Sequence, residues 1–318
     1  AISLGNKAVI DEVDMLSYFT RDPQTDVIGF YLEGFSRGRG REFLLKSRLT
    51  NKTILLLKGG KTKQGQKAAS SHTAAISSND RLLTGALKQF SIIKCETELE
   101  LVAFSKAFSL LSGEQKPFFS RAKEGNLAII TVSGGHGVIA SDLAKKYKLE
   151  IVDFTEDEKQ LLQEALSSTV KNIASINNPV DLTGSCTDDD IVSTLEVLMD
   201  IERVEIIILN ILPYPPGVSL FLGSRIASVV RRFKKPVICY LPYLARYEMI
   251  IEALNDARIP VGNSIEEAIL MAYAVHLKTI SISRAKVNKF LDTGAILQGD
   301  YEEFDEVNMP GGKRINKL

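Results

Sequence analysis

The segment Lys58–Thr73 concentrates residue types that can bind or carry a phosphate group. It is dense in glycine, lysine and hydroxyl side chains, and it holds His72, one of only three histidines in the chain. A histidine ring nitrogen can form a covalent intermediate, such as a phosphoryl adduct. Ser71 and Thr73 flank the ring and could donate hydrogen bonds to that phosphate. We therefore interpret His72 as a candidate phosphate carrier; the alternative is a solvent-exposed loop histidine.

The tripeptide Gly60-Lys61-Thr62 invites a second interpretation, the nucleotide-binding P-loop. That motif requires an upstream glycine, and Leu55 occupies its position. A helix should also begin directly after the motif, whereas the polar stretch Gln64–Gln66 follows. The sequence therefore disfavours a P-loop.

Glu33 is a candidate partner for His72. It follows the apolar run Val27–Leu32 and precedes Gly34. The carboxyl ends of parallel strands meet at the edge of a sheet where ligands bind. A carboxylate there can accept a histidine N–H and fix the tautomer of the ring. The alternative is a surface glutamate that starts a turn.

A second glycine-rich segment, Ser133–Gly137, lies between the apolar run Leu127–Val132 and the helical pattern Val138–Tyr147. Backbone N–H groups at a helix N-terminus bind anions, and glycine leaves room for the anion to approach. We interpret His136 as a spacer, with a second phosphate contact as the alternative. The predicted phosphate-binding residues of this turn are Ser133, Gly134, Gly135 and Gly137.

The sequence Asn178-Pro179-Val180-Asp181 predicts a rigid turn. Pro179 restricts the backbone, and Asp181 is suited to cap or orient a loop. From the residues alone, structural capping is the favoured interpretation of Asp181.

The elements that must position these residues alternate along the chain. Short runs rich in Ile, Val and Leu predict strands buried on both faces, and amphipathic patterns between them predict helices. Strand followed by helix, repeated, indicates an α/β protein with parallel sheets. The predicted strands are Val27–Leu32, Thr53–Leu57, Leu127–Val132, Glu205–Leu212 and Pro236–Leu241. The predicted helices are Asp11–Thr20, Asn79–Phe90, Glu96–Leu111, Val138–Tyr147, Glu156–Leu166, Asp188–Met199, Gly217–Phe233, Arg246–Asp256 and Ser264–Leu277.

The alternation breaks once, in the polar, glycine-bearing stretch Leu111–Gly125, which predicts a domain boundary. We expect two flavodoxin-like, doubly wound parallel-sheet domains in tandem. Residues 1–115 would form the domain that bears His72, and residues 116–280 the second domain. Residues 281–318 start helical and then lose periodicity, as in a linker or tail.

Composition restricts the partners and the compartment. The 39 basic and 39 acidic residues balance, so no net charge attracts nucleic acid or an anionic membrane. Cys95, Cys186 and Cys239 lack a Cys-x-x-Cys spacing, which fits a reducing compartment and predicts neither a zinc ribbon nor another metal site. No apolar run is long enough to cross a bilayer, and no signal peptide is visible. We expect a cytoplasmic protein that binds neither membrane nor nucleic acid.

Taken in chain order, these motifs resemble the ADP-forming acetate–CoA ligases, or NDP-forming acyl-CoA synthetases, of the succinyl-CoA synthetase superfamily. The most specific match is Ala68–Thr73, which resembles the Ala-Ala-Ser-His-Thr-Gly motif that bears the phosphohistidine. The resemblance covers about Ala1–Leu277, the two ligase domains only. The other matching segments are Leu4–Glu12, Tyr31–Gly34, Lys58–Lys61, Ser133–Gly137 and Asn178–Asp181.

The resemblance implies an acid–thiol ligase. Such an enzyme interconverts acyl-CoA, ADP and phosphate with carboxylic acid, CoA and ATP through an acyl phosphate and a phosphohistidine. His72 would accept the phosphoryl group, Glu33 would orient His72, and Ser133–Gly137 would cradle the phosphate with the dipole of its helix. Asn178 and Asp181 would belong to a substrate-side loop. CoA and ATP or ADP with Mg²⁺ would be bound mostly outside this chain.

The resemblance also implies partners. A CoA-binding domain and an ATP-grasp domain or subunit are expected elsewhere, as is the first strand-turn-helix unit of the His72 domain. The isolated chain is therefore expected to be inactive, and the whole enzyme to act on a small carboxylic acid or acyl-CoA as an oligomer.

The chain departs from the family pattern at two sites. Ala74 and Ser77-Ser78 replace glycine-bearing positions after the histidine, and His136 replaces a proline. These departures slightly favour an alternative: a non-catalytic, ligase-like module that senses CoA or acyl ligands within a larger protein such as a protein acyltransferase. The presence of His72 and Glu33 favours the enzyme, because a degenerate module has no reason to keep a phosphate carrier. A flavin-binding flavodoxin is disfavoured, since no hydroxyl-rich phosphate loop flanked by aromatic residues is present.

Overall fold

The computed structural model describes residues 1–36, 38–70, 80–111, 122–212, 215–233 and 235–292. These residues divide into two units. Unit 1 comprises Ala1–Leu101 with the described residues from Ser281 onward, and unit 2 comprises Val102–Ile280. All strand pairs within the two sheets are parallel, which confirms the predicted α/β class. The three-part division at residues 115 and 280 stays a prediction, since residues 112–121 and 293–318 lie outside the described ones.

Unit 1 is built on a three-stranded sheet in the order β1-β2-β3. The register places Leu32 opposite Lys58 and Leu57 opposite Cys95, so the carboxyl ends of the strands lie along one edge. Its elements are α1 (Glu12–Arg21), β1 (Val27–Leu32), α2 (Arg39–Ser47), β2 (Thr53–Lys58), α3 (Lys63–Ser70), α4 (Asp80–Gln89), β3 (Ile93–Cys95) and the start of α5 (Glu98–Leu111).

The two long strands of unit 1 differ in burial. Every residue of β2 is buried, as predicted. Along β1, Ile28, Phe30 and Leu32 are buried while Tyr31 is exposed. The expectation of burial on both faces is therefore wrong for β1, because only one of its faces is covered and such a strand alternates.

Helix α3 corrects an argument made from the sequence. It begins at Lys63, directly after Gly60-Lys61-Thr62, where polar residues argued against a helix. The Thr62 hydroxyl accepts a hydrogen bond from the Gly65 N–H at 3.1 Å, which satisfies one of the donors left free at a helix start. The other argument against a P-loop stands, since Leu55 lies inside β2.

Unit 2 contains a six-stranded sheet in the order β5-β4-β7-β8-β9, with β6 also paired to β4. Its elements are β4 (Asn126–Thr131), α6 (Gly134–Lys146), β5 (Glu150–Ile151), α7 (Glu156–Glu164), α8 (Ser168–Lys171), β6 (Val180–Asp181), α9 (Asp188–Asp200), β7 (Ile206–Asn210), α10 (Leu222–Arg232), β8 (Val237–Tyr240), a 3-10 helix (Ala245–Tyr247), α11 (Glu248–Asp256), β9 (Val261–Gly262) and the part of α12 (Ile265–Asp292) that ends at Ile280.

The strand order of unit 2 reverses between β4 and β7. The chain passes from β4 to β5 on one side and later places β7, β8 and β9 on the other, as in flavodoxin-like sheets. The carboxyl end of such a switch point is where open α/β sheets bind ligands. Thr131 of β4 and Asn210 of β7 lie opposite each other there.

Helix α6 begins at Gly134 rather than at Val138. The predicted glycine turn is therefore an N-cap residue, Ser133, followed by the first helical turn. Apolar periodicity located the helix but missed its start, because glycine carries no apolar side chain. Helix α12 likewise extends past the predicted end at Leu277 to Asp292.

The cysteines of the described residues are free and buried, as expected. Burial raises the pKa of the Cys95 and Cys186 thiols to about 12, so neither is poised as a thiolate. No helix in the described ranges combines the length and apolar character needed to cross a membrane.

Candidate functional site

Glu33 stands directly after β1, at the carboxyl edge of the unit 1 sheet. Its side chain is half-buried, and its buried Oε2 atom has no hydrogen-bond partner among the described residues. Gly59 lies beside it: a Cβ atom at that position would be 3.4 Å from Glu33 Cγ and 2.8 Å from Tyr31 Oη. A buried, unpartnered carboxylate oxygen is costly to maintain and is suited to receive an N–H donor.

Contacts from the side chains of Lys7 and Arg39 hold the loop that follows Glu33. The Lys7 ammonium donates to the Gly34 carbonyl oxygen at 2.9 Å and pairs with the fully buried Glu12 carboxylate at 2.9 Å. The Arg39 guanidinium bonds Asp11, whose Oδ1 accepts from it at 2.8 Å. The hydrogen bond from Arg39, with those from the backbone, lowers the pKa of Asp11 to about 2 despite its burial. The position of Glu33 is thus fixed from outside its own strand.

Lysine ammonium groups collect at the same edge of unit 1. Lys94 pairs with Asp80 at 2.8 Å and with Glu96 at 3.1 Å, and Lys61 pairs with Glu96 at 2.6 Å. Lys58 ends β2, is 2% exposed, and donates only to the carbonyl oxygens of Gly59 and Gly60 among the described residues, at 3.1 and 3.3 Å. Burial lowers its pKa.

Lys58 is a candidate that sequence reasoning missed. It is the polar residue that ends the buried run Thr53–Lys58, and such a residue lies at the ligand-binding edge. Gly60 has a φ of 67°, a left-handed backbone that glycine adopts without strain. The chain can therefore turn back so that its carbonyls reach the Lys58 ammonium.

His72, Ser71 and Thr73 lie outside the described residues. Helix α3 leads toward them from Lys63 and α4 resumes at Asp80. Their predicted roles stay predictions.

In unit 2, Ser133 is the N-cap of α6 without acting as a side-chain cap. Its N–H donates to Thr131 Oγ1 at 3.1 Å, and the Thr131 hydroxyl donates to the Ser133 carbonyl oxygen at 2.8 Å. Its own Oγ lies 3.2 Å from His136 Nδ1. The Ser133 side chain therefore accepts no hydrogen bond from the N–H groups of the first helical turn.

The three predicted phosphate-binding glycines have different surroundings. A Cβ atom at Gly137 would be 3.1 Å from Thr131 Cγ2 and 3.3 Å from Pro179 Cβ, so this glycine permits close packing of helix and strand. A Cβ atom at Gly134 would be 2.9 Å from Asp181 Oδ2. At Gly135 it would meet nothing within 4 Å. Of the three glycines, Gly135 is the one at which an added Cβ atom would meet open space, so an anion can approach there.

Asp181 lies beside the start of α6. Its Oδ1 accepts from the Thr183 N–H at 3.0 Å, while Oδ2 approaches Gly134. A carboxylate at a helix N-terminus is favourable, but it also repels a second anion. Asp181 thus lies beside the glycine segment, where its negative charge would repel a phosphate.

Asn178 contacts the sheet backbone. Its Oδ1 accepts from the Ile129 N–H at 2.9 Å, and its Nδ2 donates to the carbonyl oxygens of Leu127 and Val152 at 2.8 and 3.0 Å. The side chain thereby fills the gap between β5 and β6 on one edge of β4. All of these bonds are structural, and a part in a substrate-side loop stays a prediction.

Comparison with known proteins identifies relatives of both units. A family model described as a succinyl-CoA ligase like flavodoxin domain matches residues 1–108. The chain is 34% identical to an ADP-forming acetate–CoA ligase I of Archaeoglobus fulgidus, over 67% of this chain and 29% of the relative. It is 30% identical to the alpha subunit of the ADP-forming acetate–CoA ligase I of Pyrococcus furiosus, over 86% of this chain and 57% of that subunit.

A solved structure is similar over nearly the whole chain. The dinucleotide forming acetyl-coenzyme A synthetase 1 of Ca. Korarchaeum cryptofilum, in complex with phosphate and ADP, superposes with a TM-score of 0.75 at 26% identity. The match covers 91% of this chain and 60% of that one. The chain thus spans less than two thirds of the length of each of these relatives.

Proposed function

The chain belongs to the ADP-forming acetate–CoA ligase family of the succinyl-CoA synthetase superfamily, and from that premise we propose that it is the phosphoryl-carrying part of an NDP-forming acyl-CoA synthetase. The whole enzyme would interconvert acyl-CoA, ADP and phosphate with carboxylic acid, CoA and ATP. An acyl phosphate would transfer its phosphoryl group to His72, which would pass it on to ADP.

The observation that carries the proposal is the unpartnered Oε2 atom of Glu33. A histidine that attacks phosphorus with one ring nitrogen needs an acceptor for the N–H on the other. Glu33 would accept a hydrogen bond from that N–H, and would stabilise the positive charge that the ring gains when its other nitrogen bonds to phosphorus. The contacts from Lys7 and Arg39 to neighbouring residues restrict the movement of the loop that carries this acceptor.

Lys58 supports the same proposal. A phosphoryl group in transfer carries negative charge that a nearby cation stabilises. Among the described residues the Lys58 ammonium meets only carbonyl oxygens, so no carboxylate neutralises it directly. In unit 2, the open N–H groups of α6 at Gly135 would bind a phosphate by dipole and hydrogen bonding.

The remaining functions would belong to partners. An ATP-grasp domain or subunit would bind ATP or ADP, and a CoA-binding domain would bind CoA. As the family resemblance implies, Mg²⁺ would accompany the nucleotide on the partner. By itself this chain would carry the phosphoryl group without completing the reaction.

The test is phosphorylation of the chain by Mg-ATP in the presence of its ATP-grasp partner. We expect phosphate that is labile in acid and stable in alkali, and that is absent from His72→Ala. Glu33→Gln should slow labelling by about 10–100-fold, since it removes the group that orients the histidine. Glu98→Gln, an exposed substitution in the same unit, serves as the matched control.

Wild-type chain that stays unlabelled while its partner binds nucleotide would contradict the proposal. The ligand-sensing module would then be the better account. Labelling that persists in His72→Ala would move the carrier to another residue.

A further inference from the structure

Asn210 ends β7 at the switch point of the unit 2 sheet. The residue is 1% exposed, and neither Oδ1 nor Nδ2 has a hydrogen-bond partner among the described residues. A buried amide with both polar atoms unmatched is costly and uncommon in native proteins. Such a group at a ligand-binding edge calls for an explanation beyond packing.

The sheet register shows where this amide points. Asn210 lies opposite Thr131 on one side and Tyr240 on the other. Directly paired residues of neighbouring strands project to the same face of a sheet. The Thr131 side chain bonds Ser133, and the Tyr240 ring stacks on His136 with 6.2 Å between ring centroids. The Asn210 amide therefore lies on the face that carries the first turn of α6.

The His136 ring contacts residues that lie on both sides of Asn210 in the sheet. It contacts Ser133, which follows β4, and Tyr240, which ends β8, while Asn210 belongs to the strand between them. The two residues that the His136 ring contacts therefore flank the strand that carries the Asn210 amide. The helix N-terminus above it has no capping side chain and opens onto free space at Gly135.

We propose that Asn210 is a binding residue for a phosphate held at the N-terminus of α6. When phosphate arrives, the His136 ring moves aside, and Nδ2 of Asn210 donates to a phosphate oxygen together with the Gly135 N–H. The free Oδ1 accepts from a protonated phosphate oxygen, so monoprotonated phosphate matches both polar atoms of the amide. The identity of this phosphate as the one in the acyl-CoA synthetase reaction rests on the proposed function above; the site itself does not.

The test is a titration of the ¹⁵N-labelled chain with inorganic phosphate, followed by NMR. We expect the side-chain amide of Asn210 and the backbone amide of Gly135 to shift together along one binding curve. Asn210→Leu should weaken phosphate binding about tenfold, the effect of losing a hydrogen bond to a charged group. Its Tm should stay unchanged or rise, because the leucine removes a buried polar group without partners. Asn255→Leu is the matched control, since Asn255 Oδ1 is also buried and unpartnered, and it should leave phosphate binding unchanged.

Three results would overturn the inference: wild-type chain whose Asn210 amide does not respond to phosphate, unaltered affinity in Asn210→Leu, or a marked fall in its Tm, which would show a structural amide. The wild-type titration decides the question even if the variant fails to fold. The same titration on His72→Ala separates this inference from the proposed function. Phosphate that binds at Asn210 in a wild-type chain that Mg-ATP and the partner do not label at His72 would support the site and reject the carrier.

Discussion

Two segments of this molecule leave a buried parallel strand through glycine and enter a helix, and they present opposite kinds of groups to the anion that each is proposed to bind. In unit 1, after β2, the ammonium groups of Lys58, Lys61 and Lys94 collect at the edge of the sheet. In unit 2, after β4, the groups around the start of α6 are hydroxyls, an imidazole and an amide, with the Asp181 carboxylate beside them. On the proposed function, one edge would rely on side-chain charge and the other on fixed backbone dipoles, which need no reorganisation when an anion binds.

Removal of the buried Lys58 ammonium tests the role of side-chain charge in unit 1 most directly. We expect Lys58→Met to slow phosphorylation by Mg-ATP and partner about 10²-fold, because it removes a preorganised cation. The stability of unit 1 should not fall, because methionine is buried more readily than an ammonium group. Labelling rates and urea unfolding measure the two effects, and Lys88→Met, on the exposed face of α4, is the control. A labelling rate equal to that of wild type would show that unit 1 does not rely on Lys58.

Alanine substitutions at two glycines of α6 distinguish glycine needed for close packing from glycine needed for the approach of a ligand. Gly137→Ala should lower the free energy of unfolding by about 1–3 kcal/mol, since the new methyl group crowds Thr131 and Pro179. Gly135→Ala should leave stability unchanged or raise it by up to about 1 kcal/mol, because its Cβ atom meets open space in a helix. Urea titrations of both variants give the two values. Equal losses would mean that the first turn is not held against β4.

The smallest effect concerns the opposing carboxylate. We expect Asp181→Asn to raise phosphate affinity about two- to fivefold, since it removes a negative charge next to the helix N-terminus and keeps the acceptor for Thr183. Phosphate titration by NMR measures the change. Asp256→Asn, at the end of α11, is an exposed control in the same unit. Weaker binding in Asp181→Asn would instead make this carboxylate an essential partner of the phosphate site.

Local pattern was enough to predict the class of fold and the sheet edges at which Glu33 and Ser133 lie. Strand β1 has the predicted bounds, and Glu33 and Ser133 follow their strands as expected. The two-residue strands β5, β6 and β9 went unpredicted, since a periodic pattern needs more residues than they have. Helices α2 and α3 were missed because few or none of their described side chains are buried, so they carry little apolar periodicity.

What the sequence could not predict depends on contacts between distant residues. No local signal indicates that Asp181 approaches Gly134, or that Asn210 lies in line with Thr131 and Tyr240. Both facts follow from strand register, which depends on how the whole sheet assembles. The role of His72 remains a prediction from its motif and the family.

The Asn178 side chain within the β4 ladder has a consequence for how unit 2 opens. The Ile129 amide lies inside a central strand, yet its hydrogen bond goes to a side chain 49 residues away. Its exchange with deuterium therefore reports the detachment of the segment around Asn178, whereas the amides bonded between β4 and β7 report the separation of the strands themselves. The exchange rate of this one backbone amide therefore measures the local opening of unit 2.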